Sequence, residues 1–229
     1  PQYCDRLLRL ENSERLLQEI EKRNLFVSRL EGERTLYRYH NLFREFLQAK
    51  LRKEQPQTYS TLHGHAGSIF EDQSQWHQAV DHYLIAAAHL DAVRIVKKVG
   101  ESLLKAGRWQ TVSRWIQALP ERLQAGEPTL TLFEAESLIH LGQVDKAIQL
   151  LNRLLNELDA TQDWLLVSKA LSLRSAAFRL TGYLDEALED ITKVTRIVRR
   201  NGGPVQVLGD AYRRSGNIYT EQGRLVQAE

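Results

Sequence analysis

Gly142-Gln-Val-Asp-Lys-Ala147, Gly182-Tyr-Leu-Asp-Glu-Ala187 and Gly223-Arg-Leu-Val-Gln-Ala228 repeat one pattern at three places in the chain. In each, an apolar residue stands two positions after Gly and Ala stands five after it. Seven positions before each Gly is a small residue (Ala135, Ser175, Gly216), and four before it is a bulky one (Leu138, Phe178, Tyr219). A pair of packed helices explains the set. Gly closes the first helix in a left-handed turn that other residues enter at a cost. The small residues allow two helix backbones to approach, and the bulky ones fill the space beside the crossing.

The pattern resembles the tetratricopeptide repeat, small-x-x-aromatic-x-x-x-Gly-x-aromatic-x-x-Ala. Two weaker copies lie upstream. Gly107-Arg-Trp109 has Gly100 and Leu103 before it but Val112 in place of Ala, and Ser74-Gln-Trp76-His-Gln-Ala79 has Gly67 and Phe70 before it. The Gly-equivalent positions 74, 107, 142, 182 and 223 are spaced 33, 35, 40 and 41 apart. Against a minimal repeat of about 34, the later copies should carry longer helices. Apolar periodicity predicts helices over about 59–73, 76–88, 91–105, 109–118, 129–141, 144–158, 163–180, 184–199 and 204–222. Pro120 and Pro128 bracket a segment read as an irregular link. Asn201-Gly-Gly-Pro204 ends one helix and starts the next. The expected fold class is therefore all-α, a tetratricopeptide-like superhelix over 58–229.

Residues 1–57 lack the repeat. Ser13–Ile20 puts Leu16, Leu17 and Ile20 on one helical face, with Asn12 or Ser13 as N-cap. Leu25-Phe-Val27 and Leu36-Tyr-Arg-Tyr39 are short β-like runs around Gly32, and a helix from Asn41 to Glu54 follows, with Leu42, Phe43, Phe46 and Leu47 expected to face inward. Helix, hairpin, helix is the skeleton of a partial winged-helix domain.

Asn24-Leu-Phe26 and Tyr37-Arg-Tyr-His-Asn-Leu-Phe-Arg-Glu-Phe-Leu47 resemble the same region of large ATP-binding transcription activators of the MalT/LuxR type, which belong to the STAND class of P-loop ATPases. Trp115-Ile-Gln-Ala-Leu-Pro120 resembles the start of their repeat region. The resemblance implies a nucleotide-binding domain, a winged helix, helical repeats and a DNA-binding helix-turn-helix, in that order. The repeats would sense an inducer and the winged helix would help hold ADP or ATP. His40, between the second β-run and the helix, resembles the histidine that touches the β-phosphate of ADP in the resting state. This chain has no G-x-x-x-x-G-K-[ST] loop, so it is expected to be no enzyme and to hold no cofactor by itself, ADP or ATP being expected only for a full-length protein.

Composition agrees with a binding role. The 229 residues are 42% hydrophobic and 26% charged, with net charge +2, too small a bias to argue for nucleic acid. No apolar run reaches the roughly 18–20 residues of a membrane span, and no signal segment opens the chain, so a cytoplasmic location is expected. Methionine is absent and the last repeat is still open at Ala228-Glu229, which predicts a piece of a longer protein. The single cysteine, Cys4, excludes an internal disulfide and reads as a small apolar residue. His40, His63, His65, His77, His82, His89 and His140 have no metal-ligand spacing, and no nucleophile–base motif is present, so neither a metal nor a catalytic site is expected. The acids Asp185-Glu186 and Glu189-Asp190 read as solvated. In Lys193-Val-Thr-Arg-Ile-Val-Arg-Arg200, Val194, Ile197 and Val198 form a buried stripe that leaves the cations outside, where the helix C-terminus favours them.

In stacked helix pairs the first helix of each lines the concave face. The register places Arg94, Lys97, Glu101, Glu136, His140, Lys169, Ser172, Arg179, Arg213 and Asn217 there, with Arg213 and Asn217 one turn apart. Cations outnumber acids five to two on that face. The expected partner is a protein, an acidic peptide or a small anionic or polyhydroxyl inducer, with no direct nucleic-acid contact. The alternative is a scaffold that only holds proteins together.

Overall fold

The computed structural model describes residues 2–30, 36–224 and 227. The chain divides into two compact units, Pro1–Ile95 and Val96–Glu229. The first begins with α1 (Gln2–Leu8) and α2 (Ser13–Lys22), then β1 (Val27–Leu30) and β2 (Leu36–Tyr39). The strands form an antiparallel hairpin with Val27 opposite Tyr39 and Leu30 opposite Leu36. Then come α3 (Asn41–Glu54), α4 (Pro56–Asp72), α5 (Trp76–Ile85) and α6 (His89–Lys105), in which the unit boundary falls. The second unit continues through α7 (Trp109–Gln117), α8 (Glu121–Ala125), α9 (Pro128–His140), α10 (Val144–Glu157), α11 (Trp164–Leu180), α12 (Leu184–Arg200) and α13 (Val205–Glu221). This is a tetratricopeptide-like helical-repeat fold after a winged-helix segment.

The five joints have the same chemistry. Gly107, Gly142, Gly182 and Gly223 have φ between +72° and +83°, and Ser74 has φ +57°. At each, two backbone bonds close the preceding helix. At Gly142 the Gln143 N–H donates to the Leu138 carbonyl at 2.8 Å and the Gly142 N–H to Ile139 at 3.1 Å. The same pair recurs at the other four joints, the helix-ending arrangement that a left-handed residue permits. Only Ser74 holds a side chain in that conformation, at a cost that Gly avoids.

Behind the joints, Ala79, Ala147 and Ala187 are fully buried, as is Val112 in the copy that lacks Ala. Gly67 faces the Tyr83 ring so closely that an added Cβ would stand 2.8 Å from it. Ser175 is buried and donates its hydroxyl to the Ala187 carbonyl at 2.7 Å. Ala187 then packs with Ile191, Val194, Val198, Ala211 and Ile218 in the core between α11, α12 and α13. Ala187→Leu should therefore overpack this crossing and cost roughly 1–3 kcal/mol. Thermal unfolding followed by circular dichroism checks it; a midpoint equal to the parent's would mean the repeat register is wrong.

Three expectations need correction. The segment between the prolines is helical (α8), because Pro120 stands at a helix N-terminus, where its fixed φ and missing N–H do no harm. The first β-run starts at Val27 and not Leu25, since Phe26 has φ +58° and cannot extend the strand. Asn12 is the N-cap of α2, one of the two residues expected there, although its side chain makes no capping bond and the Ser13 N–H donates to Asp5 Oδ1 at 3.0 Å. Finally, α3 buries none of its residues. Leu42, Phe46 and Leu47 are exposed and Phe43 is half-buried, its ring against those of Phe26 and Tyr39 on the hairpin side and of its helix neighbour Phe46. The turn around Gly32 and the last repeat's Ala228 lie outside the described residues.

Candidate functional site

In the first unit, β2 ends where α3 begins, and His40 stands at that junction with φ −55° and ψ 135°. Its N–H donates to the Phe26 carbonyl at 2.8 Å and its carbonyl accepts from the Arg44 N–H at 2.9 Å, so the backbone is held from both sides. The imidazole makes no capping bond and is left for other contacts. It opens on a pocket of about 480 Å³ whose lining includes Asn24, Phe26, Arg38, Tyr39 and Asn41. Asn24 and Phe26 both have positive φ, +54° and +58°, so the turn that leads into β1 at the pocket contains two left-handed residues. Such strain tends to be kept at functional positions. The cation Arg38, the imidazole and the amino end of α3 converge on one opening, a set suited to an anion. Burial, with a smaller contribution from Cys4, pushes the neighbouring Tyr39 phenol above its ordinary range.

In the second unit, α6, α9, α11 and α13 contribute to a cleft of about 390 Å³. Its floor is apolar: Leu132, Phe133, Leu166, Leu173, Val207 and Ala211. Glu101, Lys105, Glu136, Lys169, Asp210 and Arg214 carry its charges. Of the residues expected on the concave face, Glu101, Glu136, Lys169 and Ser172 meet here. Lys97 pairs with Glu127 at 2.7 Å, Arg179 with Glu221 at 2.6 Å and Arg213 with Asp210 at 3.2 Å, and none of the three lines the cleft. Asn217 is exposed and also outside it. Arg94 belongs to the first unit, where it pairs with Glu71 and with Asp91. The inward cation on α13 is Arg214, missed by one residue of register. Its Nη1 donates to the Ser172 carbonyl at 3.3 Å.

The histidines are more engaged than their spacing predicted. His63 and His82, on α4 and α5, face each other with Nδ1 atoms 2.9 Å apart. They lie in a ring ladder that runs from Tyr59 through both to Phe70. Burial lowers the pKa of each, with His82 adding to the effect on His63 and Asp81 opposing it on His82. His140 stacks on Trp109 with centroids 4.3 Å apart and planes 4° from parallel. No group of three or more metal-binding side chains occurs among the described residues. No helix among them is long and apolar enough to cross a membrane. Of the expected stripe on the basic helix, Val194 and Val198 are fully buried and Ile197 is half-buried. Asp190, expected to be solvated, is buried and receives two 2.7 Å bonds from Arg174.

Comparison with known proteins meets this geometry at the hairpin. Residues 1–59 match the MalT winged helix domain. The HTH-type transcriptional regulator MalT of Vibrio parahaemolyticus is 31% identical over 120 residues, which are 52% of this chain and 13% of that regulator. The serine/threonine-protein kinase PknK of Mycobacterium tuberculosis is 30% identical over 142 residues, 62% of this chain and 13% of the kinase. The chain thus corresponds to a small part of either relative. His40 and its pocket fall inside the MalT-type winged helix. Among solved structures, MamA matches 74% of this chain and 85% of its own, with TM-score 0.53 and 17% identity. The Rap protein complexed with competence and sporulation factor matches 95% of this chain and 69% of its own, also with TM-score 0.53 and 17% identity. At that identity the likeness is one of fold, and both support the helical-repeat assignment.

Proposed function

We propose that this chain is the switch and sensor segment of a MalT-like regulator of the STAND class, a binding module and not a catalyst. The repeats take up a protein, a peptide or an inducer, and the winged helix relays that event to a nucleotide held by a separate domain of the full-length protein. The observation that carries the reading is His40, free of any capping duty at the mouth of an anion-suited pocket, inside a segment that matches the MalT winged helix. Arg38, His40 and the backbone at Asn41 fit a phosphate by charge and donor type. When bound, ADP would supply the negative charge that these groups stabilise. The complex of Rap with competence and sporulation factor supports a partner-binding role for a fold of this kind. The basic helix is a weak nucleic-acid candidate, since Lys193 is paired with Glu189 at 2.7 Å and Arg199 lies over the Tyr212 ring.

In the full-length protein, His40→Ala should remove a contact made only with bound ADP. A hydrogen bond to a charged group is worth roughly 1.5–3 kcal/mol, so ADP should bind about tenfold more weakly or worse. Because a ligand shifts an equilibrium only through its differential affinity, the variant should also drift toward the active form without inducer. ADP affinity and basal reporter output are the measurements; if both equal the parent's, His40 only starts a helix. In the alternative reading, a protein scaffold, partner binding would be indifferent to nucleotide.

A further inference from the structure

The cleft of the second unit is lined by three cations and three acids, and not all of them are in direct ion pairs. Glu101 is matched by Lys105 at 2.7 Å, and Asp210 by Arg213 at 3.2 Å. Lys169 and Arg214 have no carboxylate within ion-pair distance among the described residues, and both line the cleft. Arg214 is half-buried; burial lowers its pKa, Asp210 and Glu136 at longer range oppose this, and the guanidinium stays protonated. The remaining acid, Glu136, is half-buried as well. Burial raises its pKa, Glu101 raises it further, and His140, Arg214 and Lys105 oppose the rise. The cleft therefore presents two cations without a direct ion pair among the described residues, one acid whose pKa is raised, and an apolar lining.

This combination selects among ligands. A polyhydroxyl sugar seated on Leu132, Phe133, Leu166, Leu173, Val207 and Ala211 would leave hydroxyls unpaired against hydrocarbon. A basic segment would meet Lys169 and Arg214. We propose that the cleft binds an acidic, apolar peptide segment, with an apolar side chain on the floor and a neighbouring carboxylate paired with Lys169 and Arg214. This rests on the partner-binding reading of the repeats and names the chemistry of the partner. Binding is linked to protons through Glu136, which faces Glu101 and Lys105 from α6, His140 on its own helix, Lys169 from α11, and Asp210 and Arg214 from α13. A ligand carboxylate in the same cleft disfavours ionised Glu136, so affinity should increase as pH falls through the raised Glu136 pKa.

The test is fluorescence anisotropy on the 229-residue chain with a fluorescein-labelled octapeptide of alternating leucine and aspartate. Three control octapeptides replace aspartate by asparagine, aspartate by lysine, or leucine by serine. The leucine–aspartate peptide should bind about tenfold or more tightly than each control, as expected when losing a charged partner or an apolar anchor. Lys169→Gln and Arg214→Gln should each weaken it severalfold, and Glu136→Gln should tighten it at neutral pH and flatten its pH dependence. Circular dichroism of each variant verifies the fold, and Lys169, being exposed, is the safer of the two cation tests. Equal binding of the asparagine or lysine peptide would overturn the acidic-partner proposal while leaving partner binding intact. Binding that ignores both cation substitutions would overturn the site. No binding of any peptide to the folded chain would remove the cleft as a peptide seat, whereas the switch reading stands or falls separately on the ADP affinity of the His40 variant.

Discussion

Replacing Asp190 by alanine should destabilise the second unit by about 3–5 kcal/mol, the range for a buried ion pair that loses one partner. The carboxylate is only 3% exposed and accepts bonds from Arg174 Nε and Nη2, both at 2.7 Å. Arg174 Nη1 also donates to Asn152 Oδ1 at 2.6 Å, and its guanidinium lies over the Phe178 ring. One arginine on α11 thus ties α10 to α12. Removing Asp190 leaves a largely buried cation that has lost two of its three side-chain hydrogen bonds. Replacing both members by apolar residues of similar volume, Asp190→Leu with Arg174→Met, should restore most of the loss, because the desolvation cost of both charges disappears. Urea denaturation of the two variants measures this. A loss of under about 1 kcal/mol for Asp190→Ala, as for an exposed pair such as Lys105–Glu101, would show that the pair is effectively solvated.

Trp115→Ala should be similarly severe. Trp115 is 1% exposed on α7, between Val112 and Ile116, which are buried as completely. Truncating a buried tryptophan leaves a cavity and typically costs about 3–5 kcal/mol. Trp109, two turns earlier on the same helix, gives the contrast. It is half-buried, stacks on exposed His140 and donates its indole N–H to the Leu104 carbonyl at 3.1 Å, so Trp109→Ala should cost clearly less. Comparing the two midpoints by circular dichroism decides it. Equal losses would mean that burial of the α7 face does not govern the stability of this repeat.

The joints were readable because Gly in a repeated frame has one common physical reason, a left-handed helix end, and four of the five joints use it. Ser74 was found only through its neighbours in the frame. Side-chain direction was harder. Arg213 and Arg214 are adjacent on α13, and adjacent residues point about 100° apart, so a one-residue error of register exchanged a solvated arginine for the one in the cleft. Asp190 was misread because a carboxylate inside a run of acids suggests solvent. Its spacing, three after Ala187 and four before Val194, already put it on the buried stripe, and only its partner Arg174, on another helix, makes that tolerable. For α3 the apolar spacing gave a face but not what covers it. The His40 pocket was approached through resemblance, whereas the positive φ of Phe26 at its entry leaves no mark in residue type, since phenylalanine rarely adopts it.

The facing imidazoles of His63 and His82 carry a chemical asymmetry. With Nδ1 atoms 2.9 Å apart, one ring must present a hydrogen there and the other a lone pair. In their neutral forms one is therefore the Nδ1–H tautomer and the other the Nε2–H tautomer, although the same side chain stands at both positions. Moving the shared hydrogen across would put both charges on one neighbouring pair, a cation and an anion, unless the outer nitrogens exchange a proton with solvent as well. The two tautomeric arrangements are thus distinct states of one fold, and passage between them needs water at the outer edge of the ring ladder.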